Sequence, residues 1–230
     1  RIGSKPRDPN HGARRSRNDL IISGQAIRTL TSNMKPAAIG VRMHSGWGAL
    51  VALSNAAGKI EVIERRRIVV ISESAPGAKQ PYHFAANLGL PAAEKFIGKC
   101  FAASKSLAAQ AIRELLAELE ARQFRLAGAA VVLASGRPLP PLAKILVAHP
   151  LLHTAEGQFF REAFAKACES LAVPVAGIRE RDLQSQIQQS FGKAATKLQR
   201  QISNAGRALG PPWTTDQKTA ALAALTLLAK

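Results

Sequence analysis

His153 and Glu156 stand three residues apart on a helix that opens at Pro150, on the face marked by Phe160, Ala163, Phe164, Ala167 and Leu171. Polar groups on a core-facing stripe cost free energy unless they are paired. The two residues therefore read either as a His–Glu pair that locks the helix to a sheet or as part of a site. Their place near the helix start, beside the small Gly157, suits a site that favours anions. His149 precedes His153 by four residues, a metal-like spacing. A helix opening at Pro150 directs His149 elsewhere, and no glutamate directly follows the first histidine, so no metal set is expected.

A second group lies near the end of the chain. Thr214-Thr215-Asp216-Gln217 has the form of a capping box, which gives Asp216 a structural role in an acid-favouring first turn beside its candidacy for a site. Lys218 falls on the face of Ala221, Leu222, Leu225 and Ala229, where a lysine either snorkels to water or meets an anion. Arg65, Arg66 and Arg67 interrupt an apolar strand, so alternation sends Arg65 and Arg67 to one face and Arg66 to the other. They read as an edge guarded against pairing or as a surface that tracks phosphates. Lys79 belongs to a loop with Tyr82 and His83 that is long enough for a lid. Arg179 follows the last strand, with Glu180, Arg181 and Asp182 beside it. Cys100 and Cys168 sit on apolar helix faces and read as core residues. No glycine loop for phosphates is present: Gly46-Trp47-Gly48 is a turn between strands.

Three strands come first: Ile39–His44, Ala49–Leu53 and Ile60–Ile71, joined by short links that contain glycine. A connection over 73–89 leads to a long amphipathic helix from Pro91 to about Phe124. Leu126–Ala134 is nearly all apolar, as a central strand covered on both faces would be. Helices over 142–147 and 150–171 precede a last strand, Val173–Ile178. Helices over 182–191, 193–209 and 214–229 close the chain. The order predicts an α/β fold: a mixed five-stranded sheet, an antiparallel three-strand meander followed by two parallel crossovers, with helices on both faces.

Hydrophobic residues make up 47% of the 230, enough for a sizeable core in residues 37–230 as a single domain. Residues 1–36 differ. Eight basic residues, among them Arg14, Arg15 and Arg17, stand against two acidic ones, with no periodicity, so a disordered basic arm is expected. The whole chain carries 32 Lys and Arg against 15 Asp and Glu, a net +17 that favours a polyanionic partner. No apolar run reaches the roughly 18 residues of a membrane span, and no secretory signal is visible, so a cytoplasmic protein without a membrane partner is expected.

Gly40-Val41-Arg42-Met43-His44 as a first strand, Val175-Ala176-Gly177-Ile178 as the last, and Asp216 opening the final helix resemble the ribonuclease H-like fold. Its Holliday-junction resolvase branch is the nearest in arrangement, over roughly residues 37–229. The resemblance implies a nucleic-acid partner, DNA or RNA. Members that cut place an aspartate on the first strand, where this chain has Arg42 and His44, and a glutamate after the fourth, where it has Leu133-Ala134-Ser135. One matching carboxylate, Asp216, cannot hold two ions for phosphodiester chemistry. The expectation is a nucleic-acid-associated domain that meets its partner through Arg14, Arg15, Arg17, Arg65, Arg66, Arg67, Lys79, Arg179 and Lys218, with no cofactor identified. The alternatives are a metal-dependent nuclease or phosphotransferase, with Mg2+ at a site around His44, His153, Glu156 and Asp216, and a basic adaptor that docks on an acidic protein.

Overall fold

The computed structural model describes residues 34–72, 74–134 and 138–229. Small and β-branched residues at alternate positions build three long strands: β1 (Lys35–His44), β2 (Trp47–Ala56) and β3 (Lys59–Val69). β1 and β2 turn through Ser45-Gly46, where Gly46 takes a positive φ of 83°, and His44 pairs directly with Trp47. β4 (Phe124–Leu133) runs parallel to β1, and β5 (Val175–Arg179) parallel to β4. The sheet order is β3-β2-β1-β4-β5, with β1 to β3 antiparallel. This is the mixed sheet expected from the sequence, in the ribonuclease H-like arrangement.

The helices are α1 (Pro81–Ala85), α2 (Leu90–Ala121), α3 (Leu142–Leu146), α4 (His149–Ser170), α5 (Leu183–Phe191), α6 (Ala195–Leu209) and α7 (Thr215–Thr226). Helices α2 and α4 cover one face of the sheet, where Ile39, Val41, Leu50 and Val131 meet Ile112, Leu115, Phe160 and Phe164. Helices α5, α6 and α7 cover the other, where Ala38, Val51 and Leu53 meet Ile187, Leu198, Ala220 and Leu225. β4 is apolar because both of its sides are buried: Ala129 and Val131 face one layer, Ala130 and Val132 the other.

Gly40 sets how closely α7 lies on β1. A Cβ there would stand 1.9 Å from the carbonyl oxygen of Ala220 and 2.8 Å from the amide nitrogen of Ala224. Helix and strand backbones are in direct contact, and the alanines of α7 are the residues that permit it.

The structure alters the sequence reading in three places. β1 begins at Lys35, which pairs with Phe124, so the strand takes in two residues assigned to the arm. The rest of that arm, including Arg14, Arg15 and Arg17, lies outside the described residues. The connection over 73–89 contains the helix α1, with Pro81 in its first turn. And α4 starts at His149, one residue before the proline.

Candidate functional sites

The first site forms where β1 ends and α7 begins. Alternation sends Arg42 and His44 to the α7 side of the sheet, with Ala38 and Gly40. Asp216 is brought over them by the cap of α7. Thr214 Oγ1 accepts the Asp216 amide at 3.3 Å, and Gln217 Oε1 accepts the Thr214 amide at 2.9 Å. The capping box read from the sequence is therefore present, and it also fixes the Asp216 side chain beside Arg42 and His44.

Arg42 donates to Asp216 Oδ1 and, at 3.1 Å, to Glu180 Oε2. Burial alone would lower the Arg42 pKa, but its hydrogen bonds to Asp216 and Glu180 outweigh that and raise it. His44 Nε2 lies 3.2 Å from Asp216 Oδ2, outside hydrogen-bond alignment. The His44 ring stacks on Trp47 with centroids 4.2 Å apart and planes 11° apart, and the Arg67 guanidinium carbon sits 4.4 Å from the centre of the Trp47 ring. Arg179 bonds Asp182 at 2.5 Å and Arg181 lies 3.6 Å from the same carboxylate, so of the charges after β5 these three pair among themselves while Glu180 turns to Arg42. Lys218 is half-buried and has no salt-bridge partner among the described residues.

The three adjacent arginines divide between faces as alternation requires, on a strand that is an edge of the sheet. Their tasks differ. Arg65 donates to the carbonyl oxygens of Leu209, Gly210 and Pro212 at 2.6, 2.7 and 2.6 Å, holding the end of α6. Arg66 pairs with Glu64 and Glu118. Arg67 is exposed, and its contact is the Trp47 ring. Lys79 is exposed in the stretch before α1.

The second site lies on the opposite layer, between α1 and α4. Glu156 is 2% exposed and accepts from His83 twice, at 2.8 Å from Nδ1 and 3.2 Å from the backbone nitrogen. The expected His153–Glu156 pair is thus corrected: the partner is His83, and His153 is exposed. The physical reason is that the first turns of α4 pack on α1 and α3, through Leu152, Ala155, Ile145 and Tyr82, and not on the sheet. The expectation that His149 points away is corrected too. With α4 starting at His149, four residues place it one turn from His153, and their ring centroids are 4.6 Å apart. His83 completes the group, 5.3 Å from His149 and 4.6 Å from His153 between ring centres. Pro81, well suited to the first turn of a helix, is the sequence signal that could have placed His83 there.

A cavity of about 650 Å3 adjoins this second site, lined by Val131, Leu133, His153, Gly157, Arg161 and Glu162 among others. Arg161 lies over Gly157, where a Cβ would stand 3.3 Å from its guanidinium nitrogens, and burial lowers its pKa.

His44 and Asp216 therefore meet, while His153 and Glu156 stand on the other side of the sheet. The four do not form one site. The sheet itself separates them.

No family model matches the chain, and no curated protein matches it. Among solved structures, Thermus thermophilus RuvC in complex with a Holliday junction substrate is 15% identical, over 83% of this chain and 90% of that one, with a TM-score of 0.45. A second Thermus thermophilus RuvC structure is 14% identical, over 83% and 92%, with a TM-score of 0.43. An Aquifex aeolicus member of the Ppx/GppA family is 12% identical, over 70% and 40%, with a TM-score of 0.32. Identities this low transfer no residue's role. By its own strand order and its two helical layers, the chain is ribonuclease H-like in fold.

Proposed function

We propose that this chain is a nucleic-acid-binding ribonuclease H-like domain that holds its partner by charge and does not cut where β1 ends and α7 begins. The observation that carries the reading is Arg42, which stands on the first strand and bridges Asp216 and Glu180. A guanidinium between two carboxylates supplies the positive charge that divalent ions would otherwise bring, so the pair is satisfied without them. Asp182 is likewise taken by Arg179 and Arg181. The cations near this site without a carboxylate partner among the described residues, Arg67 and Lys218, belong to a chain of net +17 and suit phosphates.

The test is binding of duplex DNA and of RNA to the full chain across a salt series, with and without residues 1–33. Both forms should bind at low salt, and the truncation should flatten the slope of log K against log salt by roughly 0.9 for each DNA phosphate the arm had neutralised. Incubation with Mg2+ should leave the nucleic acid intact. If the truncated chain binds no nucleic acid at about 50 mM salt, where phosphate contacts are strong, the domain is not the binder and docking on an acidic protein becomes the better reading.

A further inference from the structure

The structure assigns to His83, His149 and His153 a site for a first-row divalent transition metal, Zn2+ foremost, independent of the nucleic-acid reading. Three of the five histidines in the chain meet at this one place. One ring nitrogen from each lies within 4.8 Å of the other two. Tetrahedral ligands held at 2.0–2.1 Å would be about 3.3 Å apart, a difference that rotation of exposed side chains covers. His149 and His153 are exposed and have that freedom. The rings also cross at 57° to 84° to one another, as convergent ligands do and stacked rings do not.

Glu156 makes the group more than a chance cluster. Its carboxylate is buried and binds His83 Nδ1 at 2.8 Å, which fixes the ring and leaves Nε2 as the ligating nitrogen. A carboxylate behind a ligating imidazole is the usual second partner of such a ring, and it raises the ligand's basicity. The anchor is held in turn by the His83 backbone amide at 3.2 Å. Imidazole donors select zinc, copper or nickel over magnesium, which prefers oxygen. Three protein ligands leave a fourth position for water, on the exposed side of the group and beside the cavity that His153 lines.

The experiment uses the full untagged chain, stripped with chelator and titrated with Co2+, followed by displacement with Zn2+. A single Co2+ should bind with the intense visible band of tetrahedral coordination, and Zn2+ should abolish it. His149→Ala and His153→Ala, both at exposed positions, should keep the fold by circular dichroism and lose the band. Glu156→Gln should weaken Zn2+ binding by about tenfold to a hundredfold. His11→Ala and His44→Ala should change nothing. Wild-type affinity for Zn2+ equal to that of the His149→Ala/His153→Ala double variant would overturn the assignment. Equal weakening by His44→Ala would do the same.

Discussion

Arg42 and Asp216, 174 positions apart in sequence, share a hydrogen bond where the first strand meets the last helix. The same guanidinium reaches Glu180 after β5, so one side chain ties together β1, β5 and α7. Arg42→Ala strands two carboxylates that are less than half exposed. The expected loss is about 1–2 kcal/mol, more than an isolated surface pair and less than a fully buried one. Arg42→Lys should recover only part, because an ammonium cannot bridge two carboxylates in one plane. Urea midpoints at low salt check both. A change under about 0.3 kcal/mol for Arg42→Ala would show that the pair is an idle surface contact.

Gly40 and Gly98 give opposite predictions for the same substitution. Gly40→Ala drives a methyl into the backbone of Ala220 and should cost about 3 kcal/mol or more, the upper end for overpacking. Gly98 lies exposed within α2 with nothing within 4 Å of a Cβ, so Gly98→Ala should stabilise by about 0.5–1 kcal/mol. Thermal midpoints of the two variants should move in opposite directions. If they move together, α7 does not lie on β1 as closely as described.

These two glycines also mark what the sequence can and cannot disclose. Apolar runs, prolines and turn residues place every strand and the long helices, because periodicity is a local property of the chain. Gly40 looks like any strand glycine until α7, 180 positions on, is laid against it. The sites divide in the same way. The cap that holds Asp216 is legible, since all of its parts fall within four residues. Its union with Arg42 is not, being a matter of tertiary packing. Helical phase puts Glu156 on a buried face, but its partner His83 comes from a stretch whose short helix α1 is too brief to show a period. For His149, a single residue of helix boundary decides whether two histidines meet, and sequence patterns do not fix boundaries that finely.

Cys168 should make stability fall in alkali. Burial pushes its thiol up to about 12, against an ordinary value of 9.0. Between those values the unfolded chain gives up a proton that the folded chain keeps. Its contribution is therefore complete below pH 9 and is lost as the pH rises toward 12, by at most about 4 kcal/mol. Cys168→Ala removes this dependence at the cost of a small cavity. Urea unfolding should show the variant less stable than wild type at pH 8, with the gap narrowing by pH 11. Parallel curves over that range would mean that the thiol is not desolvated.

Arg65 and Arg67 are two residues apart on one face of an edge strand, and the structure predicts that they fail differently when removed. Arg65 donates to four carbonyl oxygens around the end of α6, those of Leu209, Gly210, Pro211 and Pro212, where a cation also complements the helix dipole. Arg65→Ala should cost about 1–3 kcal/mol, since these acceptors lose a charged donor. It should leave the salt slope of nucleic-acid binding unchanged once the variant is kept below its melting range. Arg67 is exposed, and its only described partner is the Trp47 ring, a contact worth about 0.5–1 kcal/mol at an exposed site. Arg67→Ala should therefore shift stability by less than about 1 kcal/mol yet flatten the salt slope by roughly 0.9, the share of one phosphate contact on duplex DNA. Urea unfolding and fluorescence anisotropy at several salt concentrations separate the two. Should Arg65→Ala flatten the slope while Arg67→Ala leaves it untouched, the phosphate-facing side of this strand would have to be moved to the α6 end, and the surplus cation at the His44–Trp47 stack would lose its assigned partner.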